Sequence, residues 1–360
     1  MRHFWRNMEQ SKKDQLMTAH QANELLGVSD VASFGNNLDD LRGDQPTSQL
    51  SEHAITTANN ALQEGQTHYV DVPGIMPLRE AIADALPSGY NPEGVLVTAG
   101  VQEARFLALQ VLAEESSVLA VPSIVHPGVR KALGIRSTKH TWIKVEDDLR
   151  RIPTIEAIES ALVAGANRIF LESPGRLTGA VYDSNEVDQI SDLADKHGAL
   201  VMIDTGLSGW LQDPNIYNDL NSLGRITFLG EAFPGVGLEG LSIGYIATNE
   251  EHLPGITAMK QIISICTSTA TQYAALGASD GYGVRRSEAA ASLSQNKESM
   301  LEWLNSFGAE ILVGNTANLV AVSRTDAIVS ALRDRGLTPL DGAGFGAPDV
   351  LRLSITEGVK

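Results

Sequence analysis

Short apolar runs alternate with amphipathic stretches through the middle of this chain. Between residues 47 and 250 the apolar runs are VLVTAG, SVLAVPS, RIFLES, ALVMID, ITFLG and IGYIAT, and stretches with helical spacing separate them. Strands that alternate with helices predict a mainly parallel sheet with helices on both faces. Such a sheet binds its ligand at the carboxyl ends of its strands.

The pattern changes at both ends of the chain. Roughly the first 30 residues are polar with a helical pattern, which predicts an N-terminal arm over 1–46. A long helical stretch, Arg285 to Leu304, leads into the apolar runs NLVAVS and VLRLSIT. We therefore predict a large α/β domain over 47–280 and a small α+β domain over 281–360 that includes part of the arm. The best candidate for a hinge is Gly281 to Gly283.

Composition narrows the range of partners. The chain has 360 residues, a net charge of −17 and a pI near 4.8, which argues against nucleic acid or an anionic membrane as partner. A single cysteine, Cys266, rules out an internal disulfide and fits a reducing compartment. No apolar run approaches about 18 residues, no signal peptide opens the sequence, and the histidines lack metal-ligand spacing. We expect a soluble cytoplasmic protein without a metal.

Several blocks of sequence occur together in a recognisable order. THYVDVPGIMPLREAIADAL, VLVTAGVQEARFLALQVL and VLAVPSIVHPGVRKAL come first, and RIFLESPGRLTGAVYDSNEVDQISDLADKHGALVMIDTGLSGW follows. ITFLGEAFPGVGLEGLSIGY, GLSIGYIATN and FGAPDVLRLSIT complete the series. Over roughly residues 30 to 356 this order resembles the class I/II aminotransferases, the fold-type-I family that uses pyridoxal phosphate (PLP). The resemblance implies a large domain with a seven-stranded sheet, a small α+β domain, and a homodimer with shared active sites.

Part of that family's coenzyme site is retained. In TAGVQEA a strand ends and a helix begins, so the backbone N–H groups near Gly100, Val101 and Gln102 favour a phosphate. The resemblance makes this turn the cradle of the coenzyme phosphate. It also implies that Asp204 holds the pyridine nitrogen protonated and that Tyr69 reaches the phosphate of the neighbouring subunit.

The resemblance also assigns substrate-binding positions. Arg352, in LRLSI, matches the arginine that grips the substrate carboxylate, where its planar fork allows a two-point contact. An arginine inside an apolar strand costs free energy unless it is paired, which favours a ligand role. Gly43, in LRGDQPT, falls where the family passes its N-terminal segment over the substrate.

Other positions depart from the family, most of all at the coenzyme lysine. GEAF stands where the family has SKTF, which places Glu231 at the lysine and Gly230 at a serine. Strict spacing offers Pro234 instead of Glu231, and neither residue can form a Schiff base. Ser242 replaces the arginine that binds the coenzyme phosphate, and Phe228 replaces another phosphate-binding hydroxyl.

The positions around the coenzyme ring differ as well. Arg176-Leu177 replaces the family's asparagine-proline, Leu207 replaces a tyrosine, and His126 replaces the aromatic ring that stacks on the pyridine. Arg176 therefore becomes a candidate for binding either coenzyme or substrate. Of the lysines elsewhere, we expect Lys260, in ITAMKQIISI, to be a solvated charge on a helix.

These departures leave several functions open. In the first, Glu231 in an apolar pocket acts as general base with Asp204 and His126 on an amino-acid-like carboxylate, in specialised biosynthesis. PLP or pyridoxamine phosphate would then bind without a lysine imine. Each lost phosphate contact removes about 1.5 to 3 kcal/mol, which makes any coenzyme binding doubtful.

The second reading is an enzyme that needs no PLP, in which Asp204, Glu231, His126 and Arg176 surround a carboxylate held by Arg352. The third is a catalytically silent subunit that binds a small carboxylate or regulates an active homologue. An ordinary PLP-dependent aminotransferase with a relocated lysine is a further alternative.

Overall fold

The computed structural model describes residues 40–41, 48–87, 90–113, 116–136, 139–145, 149–211, 225–312 and 318–355. The helices are α1 (Glu52–Gln63), α2 (Met76–Asp84), α3 (Gly100–Val111), α4 (Pro127–Arg136), α5 (Ile155–Val163), α6 (Ser184–His197), α7 (Leu253–Ile263), α8 (Thr269–Ser279), α9 (Tyr282–Asn305) and α10 (Asp326–Asp334). The strands are β1 (Asp40–Leu41), β2 (Val95–Ala99), β3 (Leu119–Pro122), β4 (His140–Ile143), β5 (Arg168–Glu172), β6 (Leu200–Asp204), β7 (Ile226–Glu231), β8 (Ile243–Ala247), β9 (Ile311–Leu312), β10 (Leu319–Ser323), β11 (Thr338–Asp341) and β12 (Val350–Ser354).

A seven-stranded sheet forms the larger part of the fold. Its strand order is β2-β8-β7-β6-β5-β3-β4, and β8 runs antiparallel to both of its neighbours while the other pairs are parallel. The six apolar runs of the sequence form β2, β3, β5, β6, β7 and β8, which confirms the mainly parallel sheet. The pattern missed β4 because three of its four residues are exposed at the edge of the sheet.

Helices cover the two faces of this sheet, and each face has its own apolar layer. One layer contains Leu78 of α2, Val187 of α6 and Phe228 of β7. The other contains Leu107 of α3 and Leu229 of β7. Consecutive residues of β7 thus point to opposite faces, as expected of a pleated strand buried on both sides.

The carboxyl edge of the sheet collects polar residues. Glu172 ends β5 and lies in register with Asp204, which ends β6. Glu231 ends β7, and Ser242 lies directly before β8. Since β8 runs the other way, its first residues and the end of β2 meet at this same edge, as the pairing of Ala99 with Ile243 indicates.

A second sheet has five strands in the order β1-β11-β12-β10-β9, and four of them come from the C-terminal part of the chain while β1 comes from residues 40–41. The expected strands NLVAVS and VLRLSIT are β10 and β12, which pair antiparallel. Helix α9 begins at Tyr282, directly after Gly281 with a φ of +63°, a value that glycine adopts without strain. The domain boundary at residue 280 stays a prediction, and the arm over 1–46 lies outside the described residues except for β1. No helix in the described part of the chain is long and apolar enough to cross a membrane.

Candidate functional site

Asp204 already has a cationic partner from its own chain. Its Oδ2 accepts a hydrogen bond from Nε of Arg105 at 2.5 Å, and both side chains are almost completely buried. Its Oδ1 accepts from the backbone N–H of Gly206 at 2.9 Å and lies 3.9 Å from Nη2 of Arg176. Burial alone raises the pKa of Asp204, but the charges of Arg105 and Arg176 and the hydrogen bonds outweigh it and lower the pKa below the usual value.

Glu172, one strand away, is a second buried carboxylate. Its Oε1 accepts the backbone N–H of His126 at 2.8 Å, and its Oε2 accepts that of Arg176 at 3.3 Å. Burial, helped by the charge of Asp204, raises the pKa of Glu172 to about 7 against the pull of nearby guanidiniums. Glu172 therefore braces the segments that follow β3 and β5 and titrates near neutral pH.

His126 is buried as a neutral imidazole. Burial, together with the charges of Arg105, Arg176 and Arg352, holds the pKa of His126 well below its usual value. Its Nδ1 accepts the backbone N–H of Gly128 at 3.0 Å, so the proton of the neutral ring is on Nε2. At neutral pH His126 is therefore not a protonated imidazolium that could act as an acid. Its neutral ring can still donate a hydrogen bond through Nε2.

Arg352 connects the small sheet to the same place. It lies on β12, is 2% exposed, and its Nη1 donates to the backbone carbonyl of Arg176 at 2.8 Å. Gly206 leaves room for Arg176, since a Cβ there would lie 1.9 Å from Nη2 of that arginine. We call this set of side chains the arginine centre: Arg105, Arg176 and Arg352 with Asp204, Glu172 and His126.

A cavity of about 160 Å³ lies at the start of α3, beside the arginine centre. Gly100, Val101 and Gln102 line it together with Ser242. Its other polar lining comes from Glu231 and Glu239, and no lysine or arginine lines it within the described residues. Burial raises the pKa of Glu239 against the hydrogen bonds from the backbone. We call this cavity the acidic cavity.

Behind the start of α3 lies a buried ion pair. Nζ of Lys260 donates to Oε2 of Glu103 at 2.8 Å and to Oγ of Ser264 at 3.0 Å. The same Glu103 oxygen accepts the backbone N–H of Ala99 at 2.6 Å, which caps the helix. The expectation that Lys260 is solvated is wrong, because its side chain is fully buried and Glu103 compensates its charge.

The remaining predicted positions lie apart from the arginine centre. Tyr69 is 80% exposed and lines a separate cavity of about 600 Å³ with residues such as Leu62 and Thr269. Phe228 is buried against Tyr90, with ring centroids 5.8 Å apart, and lines a third cavity of about 80 Å³ that Glu231 and Pro234 also line. Phe228 is not among the described residues that line the acidic cavity. Gly43 lies outside the described residues.

Sequence reasoning missed two members of the arginine centre. Arg105 lies on the buried stripe of α3 with Val101, Ala104 and Ala108, and a charged residue in such a stripe signals a buried partner. Glu172 ends an apolar strand as Asp204 does, and neighbouring parallel strands place both carboxylates at one edge. Among the described residues, no group of three or more His, Cys, Asp or Glu side chains could hold a metal ion.

A seven-stranded sheet with one antiparallel strand, a second sheet that contributes an arginine, and an aspartate at the end of β6 define the fold-type-I aminotransferase scaffold. A sequence model described as aminotransferase class I and II matches residues 35–359, and the chain belongs to this family.

Individual relatives agree with this assignment. The chain is 24% identical over 346 residues to an aspartate aminotransferase of Thermotoga maritima, covering 91% of this chain and 89% of the relative. It is 25% identical over 267 residues to a probable aspartate aminotransferase of Methanocaldococcus jannaschii, covering 71% and 68%. Among solved structures, N-succinyldiaminopimelate aminotransferase from Mycobacterium tuberculosis superposes with a TM-score of 0.81 at 19% identity, covering 96% and 95%. That likeness establishes the fold.

The family is in general PLP-dependent, and two features of this chain bear on its fit to that coenzyme. A phosphate dianion at the start of α3 would face the carboxylates of Glu231 and Glu239 with no cation among the described lining residues. At the other end, Arg105 and Gly206 already occupy the oxygens of Asp204. The described lining at the start of α3 thus supplies no cation for a phosphate, and the carboxylate of Asp204 is already paired with Arg105.

Proposed function

We propose that this chain binds an amino-acid-like carboxylate at its arginine centre and acts on it without a lysine imine. The observation that carries the proposal is the guanidinium of Arg105: it is buried in the arginine centre, and its Nη2 has no hydrogen-bond partner among the described residues. A buried guanidinium with an unused N–H group favours a planar anion with two oxygens. Because Arg352 donates to the carbonyl of Arg176, a ligand carboxylate would replace that carbonyl as its acceptor.

The chemistry is assigned to groups around this carboxylate. Glu231, at the end of β7, lines both the acidic cavity and the neighbouring 80 Å³ cavity, which suits a general base that reaches a bound ligand. His126 serves as a neutral hydrogen-bond donor through Nε2. Asp204 holds Arg105 and Arg176 in place. The reaction is a non-transaminating step on an amino-acid-like substrate in specialised biosynthesis, with PLP held non-covalently or not at all.

Ordinary transamination is the second candidate, because the relatives are named aminotransferases. It requires a relocated lysine, and Lys260 would have to leave Glu103 and Ser264 to take that role. A catalytically silent binding subunit is the third candidate. Such a subunit would still bind a carboxylate at the arginine centre. Replacement of Glu231 would then cause no loss of turnover.

A second copy of this chain is the proposed partner. Tyr69 and Leu62 are exposed large side chains, 80% and 47%, at the mouth of the 600 Å³ cavity. Exposed apolar surface of this kind marks interaction sites. A homodimer with shared active sites, as the family resemblance implies, would cover it. Tyr69→Glu should then shift the protein from dimer to monomer in light scattering.

Calorimetric titration with L-aspartate, L-glutamate, L-phenylalanine and succinate tests the ligand class. Saturable binding of any of these that falls at least tenfold in Arg352→Met, and partly recovers in Arg352→Lys, is the expected result. An affinity unchanged in Arg352→Met would contradict the proposal. A parallel titration with PLP and pyridoxamine phosphate, followed by absorbance, tests transamination, since an imine band lost in Lys260→Met would favour that function instead.

A further inference from the structure

Arg105 is an unusual residue for its position. Its neighbours on the buried face of α3 are Val101, Ala104 and Ala108, and its own exposure is 2%. A guanidinium at such a place is stable only beside a compensating charge. The described structure provides that charge in Asp204, whose Oδ2 lies 2.5 Å from Nε of Arg105.

Both oxygens of Asp204 already face protein donors. Oδ1 accepts the N–H of Gly206 at 2.9 Å and has Nη2 of Arg176 at 3.9 Å. A ring nitrogen that took the place of Nε beside Oδ2 would have to displace the buried guanidinium of Arg105. Displacement of Arg105 would leave its positive charge buried without a partner, which costs several kcal/mol.

We propose that the guanidinium of Arg105 occupies the place beside Asp204 that a coenzyme ring would need, so that the chain supplies the cation for its own aspartate. This inference rests on that part of the proposed function which dispenses with a covalent coenzyme. It adds a physical reason why the chain would work without the coenzyme: the ion pair between Arg105 and Asp204 excludes the coenzyme ring, whether or not the acidic cavity tolerates a phosphate. Arg105 is thus a positioning residue for Asp204.

The test uses pyridoxine, which carries the coenzyme's ring without its phosphate or aldehyde, and the melting temperature of the full-length protein. Arg105→Ala should lower the melting temperature by about 5 °C or more, because Asp204 loses its partner. Saturating pyridoxine or ethylguanidinium should raise the melting temperature of Arg105→Ala by several degrees and leave the wild type unchanged.

Arg79→Ala is the matched control. Arg79 is a buried arginine of α2 whose Nε donates to the carbonyl of Val95 at 2.9 Å, so its removal opens a similar space away from Asp204. Neither compound should shift the melting temperature of that variant. A pyridoxine shift in the wild type as large as in Arg105→Ala, or an Arg105→Ala variant as stable as the wild type, would overturn the inference.

A second set of variants applies even if Arg105→Ala does not fold. Arg105→Lys retains a cation at the pair and should show an intermediate melting temperature with no pyridoxine shift. The double variant Arg105→Lys/Asp204→Asn should have a melting temperature lowered by less than the sum of the two single changes. The reason is that Asp204→Asn already removes the negative charge with which residue 105 pairs. Strictly additive changes in melting temperature would contradict the proposed ion pair between residues 105 and 204. These readouts do not involve carboxylate binding, so failure of the proposed function would be seen separately in the calorimetric titrations.

Discussion

The acidic cavity and the arginine centre lie side by side at one edge of the sheet and carry opposite charges. The acidic cavity has two carboxylates, Glu231 and Glu239, and no described cation in its lining. The arginine centre has three guanidiniums, from Arg105, Arg176 and Arg352, around two carboxylates. The family resemblance implies a phosphate at the first position and a ring cation beside Asp204 at the second, and the described residues place two carboxylates at the first and the guanidinium of Arg105 at the second.

The comparison separates two kinds of constraint on a fold. The helix start at Gly100 and the strand end at Asp204 are retained, because the sheet and its connections require a turn at each place. The charges around those turns are not required by the sheet. The scaffold is therefore evidence for fold, and only the charges are evidence for chemistry.

The largest expected effect concerns the lysine behind the acidic cavity. Lys260→Met should lower the free energy of unfolding by about 3 to 5 kcal/mol, because the largely enclosed carboxylate of Glu103 would lose its cation. Lys196→Met, which breaks the exposed pair with Glu159, is the matched control and should cost less than about 1 kcal/mol. Urea denaturation measures both. Equal effects would mean that Lys260 is not a structural charge, and would reopen its role as a relocated Schiff-base lysine.

In the arginine centre, Glu172 should make stability depend on pH. Its folded pKa of about 7 lies above the usual 4.5, so the folded state binds more protons between these values. The raised pKa of Glu172 adds up to about 3 kcal/mol to the free energy of unfolding. This stabilisation is fully present below about pH 4.5 and is lost as pH rises through about 7. His126 acts in the opposite direction below pH 6.5, because its folded pKa is lowered.

The Glu172 contribution is isolated by the difference in unfolding free energy between the wild type and Glu172→Gln, measured by denaturation from pH 5 to 8. That difference should shift in favour of the variant as pH rises, since glutamine does not ionise. A difference that stays constant over this range would show that Glu172 does not titrate there.

The sequence predicted most of the fold, and it named four of the six residues that the structure brings together in the arginine centre. Apolar runs such as RIFLES and ALVMID identify buried strands directly, and their order implies the carboxyl edge. The pairing of Arg105 with Asp204, across 99 positions of sequence, depends on how α3 lies on the sheet, and no local pattern encodes that. Lys260 was misread for the same reason, since its partner Glu103 lies on another helix.

The reversed charge of the acidic cavity can be tested by restoring one cation. Ser242 is exposed and adjoins Gly100, where a Cβ would lie 3.5 Å from that of Ser242, so an arginine side chain at 242 can reach the start of α3. Ser242→Arg should bind inorganic phosphate about tenfold more tightly than the wild type, through one charge-assisted contact of about 1.5 kcal/mol. Adding Glu231→Gln should increase the gain.

Ser242→Gln, which adds length without charge, is the control for the phosphate titration and should not differ from the wild type. Calorimetry at low ionic strength provides the measurement, because salt screens exposed charges. If Ser242→Arg and Ser242→Gln bind phosphate alike, the cavity's charge is not what excludes the anion.

A packing effect is expected at Gly230, which the family resemblance aligns with a serine. A Cβ at this position would lie 2.6 Å from Oγ1 of Thr205 and 2.9 Å from the hydroxyl of Tyr245, two buried groups that are themselves 3.1 Å apart. Gly230→Ala should therefore cost about 1 to 3 kcal/mol by overpacking, whereas Thr205→Ser combined with it should recover little because the hydroxyl remains. Thr205→Ala combined with Gly230→Ala should recover more, because it removes the nearest atom. Chemical denaturation of the three variants distinguishes a packing constraint on Gly230 from a change made for the ligand, since a ligand role alone would leave stability unaffected.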